Sequence, residues 1–269
     1  MLKRQSAALI LSVAFYIALR LIIPTVSLFG GLADMIIVTV LFMTAQILVI
    51  RYVCALGLSF ALGGIAFLLS LAAFSSIFYA RHVLHWGPWA DMPLDISRIA
   101  AACFLGYMVS FALRDKNIIL PIAAFAAYLD IWTVTIGPTS HFIATVPEVV
   151  QRVSAQMPVP RSYHGIAPTF IGPADFVFLA VFFGAIYRLK MEAARTFWLT
   201  AFLLSAAMLV VMLAEQVPGI PALVPMGIAV VVANFRHFKL AKQEKWSVLI
   251  VSTILVLSLS VHLLHRYNQ

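Results

Sequence analysis

Along the chain, long apolar runs alternate with short clusters of charged and turn-forming residues. Runs of about 17–25 apolar residues are long enough to cross a hydrocarbon core as helices. Nine stand out, at residues 6–23, 32–50, 53–79, 97–113, 118–136, 168–187, 196–214, 219–235 and 246–264. A membrane barrel would instead show weaker, alternating segments of about ten residues. The expected fold is an all-α, multi-pass transmembrane bundle of about nine spans.

Composition agrees with the pattern. The chain is 63% hydrophobic and 10% charged, with a mean hydropathy of +1.03, whereas soluble domains average about 25% charged residues. The first run follows Lys3 and Arg4, as a secretory signal would. Its apolar stretch is longer than the usual 7–15 residues and no clear cleavage site follows, so it reads as a retained helix. Cys54 and Cys103 both fall within spans, which implies no disulfide framework. The net charge of +8 comes from residues that flank spans. Topology explains it better than nucleic acid does.

Basic loops stay cytoplasmic. With nine spans, one side holds Lys3, Arg4, Arg51, Arg114, Lys116, Arg188, Lys190, Arg195, Arg236, Lys239, Lys242 and Lys245. The other holds Arg20, Arg81, Arg98, Arg152, Arg161 and Arg266. Twelve against six places the N-terminus inside. No separate soluble domain or internal repeat is evident, and the chain reads as one membrane-embedded domain of residues 1–269. Its small size, without a large soluble loop, suggests the plasma membrane of a prokaryote.

Two acids lie well inside spans, Asp130 in "AAFAAYLDIWTVTIGP" and Asp175 in "APTFIGPADFVFLAVFFGAIYRLK". A carboxylate within the membrane is costly and marks a functional position. Asp130 lies six residues, about 9 Å at 1.5 Å per residue, before the outer end of the fifth span. Asp175 lies seven residues, about 10 Å, after the sixth begins. Consecutive antiparallel helices would bring the two to matching levels. Two close carboxylates share one proton and can serve together as base and acid, without metal or cofactor. Proton relays, cation sites and buried hydrogen-bond partners use membrane acids as well, and more often.

Three short motifs narrow the choice: "YLD" at 128–130, "GPAD" at 172–175 and "PAL" at 221–223. In order and spacing they resemble those of the intramembrane aspartyl proteases, the presenilin and signal peptide peptidase family. Three features differ: Leu129 separates Tyr128 from Asp130, Ala174 stands where the family has glycine, and Pro173 stands where it often has a large apolar residue. The resemblance covers residues 118–235, leaving 1–113 as N-terminal helices and 246–264 as an extra C-terminal span. It implies a presenilin-like bundle with Asp130 and Asp175 catalytic. It also implies that Pro221, Ala222, Leu223, Gly172 and Tyr128 shape the substrate site, with no metal and no cofactor. Irregular backbone around Pro218 and Pro221 would pair with an unwound substrate strand. The family's motifs sit in spans six, seven and nine, here five, six and eight. Either the N-terminal part is one helix short or the run 53–79 hides two.

Other clusters carry less. His82, His85, Asp91 and Asp95 match no metal signature, and Trp86 and Trp89 suit an interfacial belt. Ser140 and His141 are adjacent and lack an orienting group, while Arg152, Arg161 and His164 read as a solvated connector. "RHFKLAKQEK", 236–245, is a basic stretch suited to anionic headgroups.

The expected function is hydrolysis of peptide bonds within transmembrane segments of membrane proteins or signal peptides. The lipid bilayer would be its other partner, with no role for nucleic acid; the oligomeric state is not legible. Two rivals use the same residues: a proton- or cation-coupled transporter, and a catalytically silent relative that binds helices.

Overall fold

A computed structural model of the protein describes residues 2–25, 30–135, 145, 154–158, 170–213 and 221–239. Eight helices of twelve residues or more run through the described residues. They are α1 (Leu2–Ile22), α2 (Gly31–Ala55), α3 (Phe60–His82), α4 (Asp91–Val109), α5 (Ile119–Thr135), α6 (Pro173–Arg188), α7 (Ala193–Leu213) and α8 (Leu223–Asn234). Each of the first eight expected spans falls on one of them. The ninth, 246–264, lies outside the described residues.

Among the described residues, six helices are long and apolar enough to cross a membrane: Lys3–Thr25, Gly31–Ala55, Phe60–His82, Asp91–Ala112, Lys116–Val134 and Ala193–Leu213. The expected count of about nine spans is not confirmed among the described residues. With 16 and 12 residues, α6 and α8 rise only about 24 and 18 Å. A hydrocarbon core is about 30 Å thick. Gly172-Pro173 and Pro221 delay the two helix starts, which hydropathy alone does not register.

The run 53–79 hides no second helix. The chain breaks between Ala55 and Phe60, where Gly57 adopts a positive φ of 62°. Ser59 then caps α3, its hydroxyl accepting the Leu62 N–H at 3.3 Å. α3 is thus one helix that begins seven residues later than expected.

The described residues gather into two compact units. The first comprises residues 1–112 and 153–193. There α1 packs on α2, α3 on α4, and both α2 and α4 on α6. α6 is well enclosed, burying Phe176, Leu179, Phe182, Phe183 and Ile186. Small residues let it approach α4 closely. A Cβ at Gly106 would lie 2.1 Å from the Val177 carbonyl oxygen, and one at Gly184 2.6 Å from the Ser110 hydroxyl. At the end of α6, Arg188 donates to the Ser110 carbonyl at 2.5 Å and stacks 4.1 Å from the Phe111 ring centre. Arg51 donates to the Tyr187 hydroxyl at 3.1 Å.

The chain is not wholly helical. Ala155–Gln156 pairs antiparallel with Phe170–Ile171 in a two-residue ladder that leads directly into α6.

The second unit comprises residues 113–152 and 194–269. Here α8 packs on α5, with Gly227 set against the Ala123 carbonyl. The fully buried Asn234 donates to the Thr196 hydroxyl at 2.8 Å, linking α8 to α7. Asn117 and the Lys239 backbone exchange two hydrogen bonds, at 3.0 and 3.2 Å.

Candidate active site

The first N–H groups of a helix have no partner within it. At the start of α8 the preceding residues are Pro221 and Ala222, and Ala222, in the N-cap position, has no side-chain acceptor. The N–H of Leu223 is supplied from another helix: the Asp130 carboxylate accepts it at 2.7 Å. A negative charge at a helix N-terminus is favoured by the helix dipole, and a charge-assisted bond of this length is strong. Two of the three motifs, YLD and PAL, therefore meet in one hydrogen bond. Asp130 is half-buried on α5 and Leu223 is buried.

Asp175 lies in the first unit, on the first turn of α6. Gly172 is the N-cap, extended at φ −68° and ψ 150°, and Pro173 is the first helical residue, where a missing N–H costs nothing. The Asp175 carboxylate reaches back to accept the Gly172 N–H at 3.2 Å, while its own N–H donates to the Gly172 carbonyl at 3.2 Å. This is the reach-back half of a capping box; glycine has no side chain to return it, and its carbonyl closes the turn instead. The expected position seven residues into a helix is corrected to the third residue of α6. Gly172 and Pro173 set the boundary of the helix. Residues 170–171 just before them are extended and strand-paired, because the same apolar text serves a short strand as well as a helix.

Tyr128 and Asp130 are two residues apart on the continuous helix α5. At about 100° per residue their side chains leave the helix on opposite sides. The wider spacing of the YLD motif therefore turns Tyr128 away from the Asp130 face.

The acids near the third loop are engaged by arginines. Asp91 pairs with Arg81 at 2.5 Å at a partly exposed position. Asp95 is buried and pairs with both Arg20, from α1, and Arg98, one turn along α4. His82 packs its ring 4.5 Å from that of Phe78, and Trp86 stacks on Trp89 at 4.9 Å. The Arg20–Asp95–Arg98 cluster is the feature that sequence reading missed. Arg20 and Arg98 looked like residues flanking spans, although the i, i+3 spacing of Asp95 and Arg98 within an apolar helix was a usable signal. Ser140, His141, Arg152, Arg161, His164, Pro218 and residues 240–245 lie outside the described residues.

No family model, curated protein or solved structure matches the chain.

Proposed function

We propose that this protein is an intramembrane aspartyl endopeptidase of the presenilin and signal peptide peptidase kind, with Asp130 and Asp175 as its acid–base pair. The observation that carries the reading is the hydrogen bond from Leu223 to Asp130. A membrane acid and the Pro-Ala-Leu turn are 93 residues apart in sequence, and the fold spends a strong bond on joining them.

In the proposed reaction the two carboxylates hold one proton between them. The ionised one takes a proton from water as its oxygen attacks the scissile carbonyl carbon, and the protonated one gives its proton to the carbonyl oxygen. The tetrahedral diol then collapses: one carboxyl group protonates the leaving nitrogen, the other takes a hydroxyl proton, and the C–N bond breaks. Pro221, Ala222 and Leu223 would line the substrate beside Asp130 with their side chains, since the Pro221 and Ala222 carbonyls already accept the Val224 and Met226 N–H groups at 3.4 and 3.3 Å. The substrates would be transmembrane segments, including remnant signal peptides, in a protein whose N-terminus faces the cytoplasm.

The test is thermal stabilisation of the purified protein by a peptide carrying a hydroxyethylene isostere, which mimics the tetrahedral intermediate. Stabilisation that disappears in both Asp130→Asn and Asp175→Asn is the expected result. Absence of stabilisation with all three proteins folded overturns the protease reading. Ion flux that depends on both acids would then identify a transporter, and capture of helices without cleavage a silent binder.

A further inference from the structure

We propose that Arg98 is a positioning residue for Asp175, acting through the two-strand ladder, an inference that rests on the aspartyl-protease reading. Arg98 lies on α4 and is 6% exposed. A buried arginine in a helix of this apolarity is expensive and has a purpose. Its Nη1 atom makes two bonds, one to Asp95 Oδ1 at 3.0 Å and one to the backbone carbonyl of Ser154. The other oxygen of Asp95 pairs with Arg20. Two arginines from two helices thus hold one carboxylate, and one of them also holds the backbone just ahead of the ladder.

The links continue without a gap. Ser154 precedes Ala155, which pairs with Ile171 across the ladder. Ile171 is bonded to Gly172, whose N–H is accepted by the Asp175 carboxylate. Every member lies in the first compact unit. Ser154, Ala155 and Met157 are buried, so this strand is drawn into the unit and does not lie loosely on it. Two strands alone are marginally stable at best, and a ladder of two residues is weaker still. The charge-assisted bond from Arg98 supplies the tether that the ladder lacks. Arg98 thereby sets where the chain enters α6 and where the Asp175 carboxylate begins.

The variant that separates positioning from general stability is Arg98→Met, because it leaves Asp95 its pair with Arg20. Arg98→Lys is the conservative rescue: both bonds come from a single nitrogen, and an ammonium has three donors to replace it. The measurement is copper-phenanthroline cross-linking of Ala155→Cys with Ile171→Cys, in the full chain in lipid, with Cys54 and Cys103 replaced by alanine. Disulfide formation is expected to be fast in the parent and in Arg98→Lys. In Arg98→Met it should be about tenfold slower, the ratio expected for losing one charge-assisted hydrogen bond. Isostere stabilisation should fall and recover in the same order.

Equal cross-linking in Arg98→Met and the parent means the ladder holds itself, and overturns the proposal. So does slow cross-linking in both Arg98 variants accompanied by lost helix content or a lower melting temperature, since Arg98 would then serve only the bundle. If isostere stabilisation ignores Asp130→Asn and Asp175→Asn while cross-linking follows Arg98, the tether stands and the protease reading is what fails.

Discussion

The carboxylate of Asp130 and the backbone N–H of Leu223 lie 2.7 Å apart, so that a side chain of α5 caps the start of α8. The bond gives Asp130 a structural duty alongside its proposed chemical one, and the two can be separated. Asp130→Ala leaves the Leu223 N–H without an acceptor and should cost about 1–3 kcal/mol. Asp130→Asn keeps a carbonyl oxygen in place and should cost less. Melting temperatures in one detergent should fall in the order native, Asn, Ala. An alanine variant as stable as the native protein would show that the bond does not hold α8.

Asp91 and Asp95 both pair with arginines, but at different burial. The Asp91 side chain is 47% exposed and that of Asp95 7%. Exposed pairs contribute about 0–1 kcal/mol and are screened by salt. Asp91→Asn should therefore barely move the unfolding midpoint, and less still at high salt. Asp95→Asn removes the carboxylate that two arginines share and should cost about 3–5 kcal/mol. Unfolding curves at two salt concentrations check both.

Gly106 and Gly64 both sit on helices of the first unit, yet alanine should act differently at each. At Gly106 a Cβ would strike the Val177 carbonyl oxygen at 2.1 Å, two residues beyond Asp175 on α6. Backbone cannot yield as a side chain can, so Gly106→Ala should cost about 1–3 kcal/mol or more and weaken isostere binding with it. At Gly64 the added Cβ meets only the flexible end of Met108 at 3.5 Å. Gly64→Ala should be neutral or stabilising by about 0.4–1 kcal/mol. The reverse order in thermal unfolding would contradict the α4–α6 packing.

Asn234 and Thr196 offer a direct measure of helix–helix hydrogen bonding in this fold. A double-mutant cycle of Asn234→Ala and Thr196→Val should return a coupling of about 0.6–1.7 kcal/mol, the range for such bonds between membrane helices. A coupling near zero would mean that α7 is held to α8 by packing alone.

What hydropathy by itself determined is where helices form: burial in lipid demands internal hydrogen bonding, and long apolar runs can satisfy it only as helices. The eight described helices all fall on runs visible in the text. Their starts were less legible, because Gly57, Gly172 and Pro221 act by backbone geometry within stretches that remain apolar throughout. The candidate residues Asp130, Asp175 and Leu223 could be picked out as a membrane acid pair and a motif, since charge in such a segment is rare. Their partners could not. That Asp130 caps α8, that Asp175 caps its own helix and that Tyr128 faces away from Asp130 depend on helix phase and on contacts across 93 residues of chain. The Arg20–Asp95–Arg98 cluster shows the same limit. In sequence it is three charges near helix ends; only tertiary packing buries them together, where low dielectric and lost water turn ordinary flanking residues into an anchor.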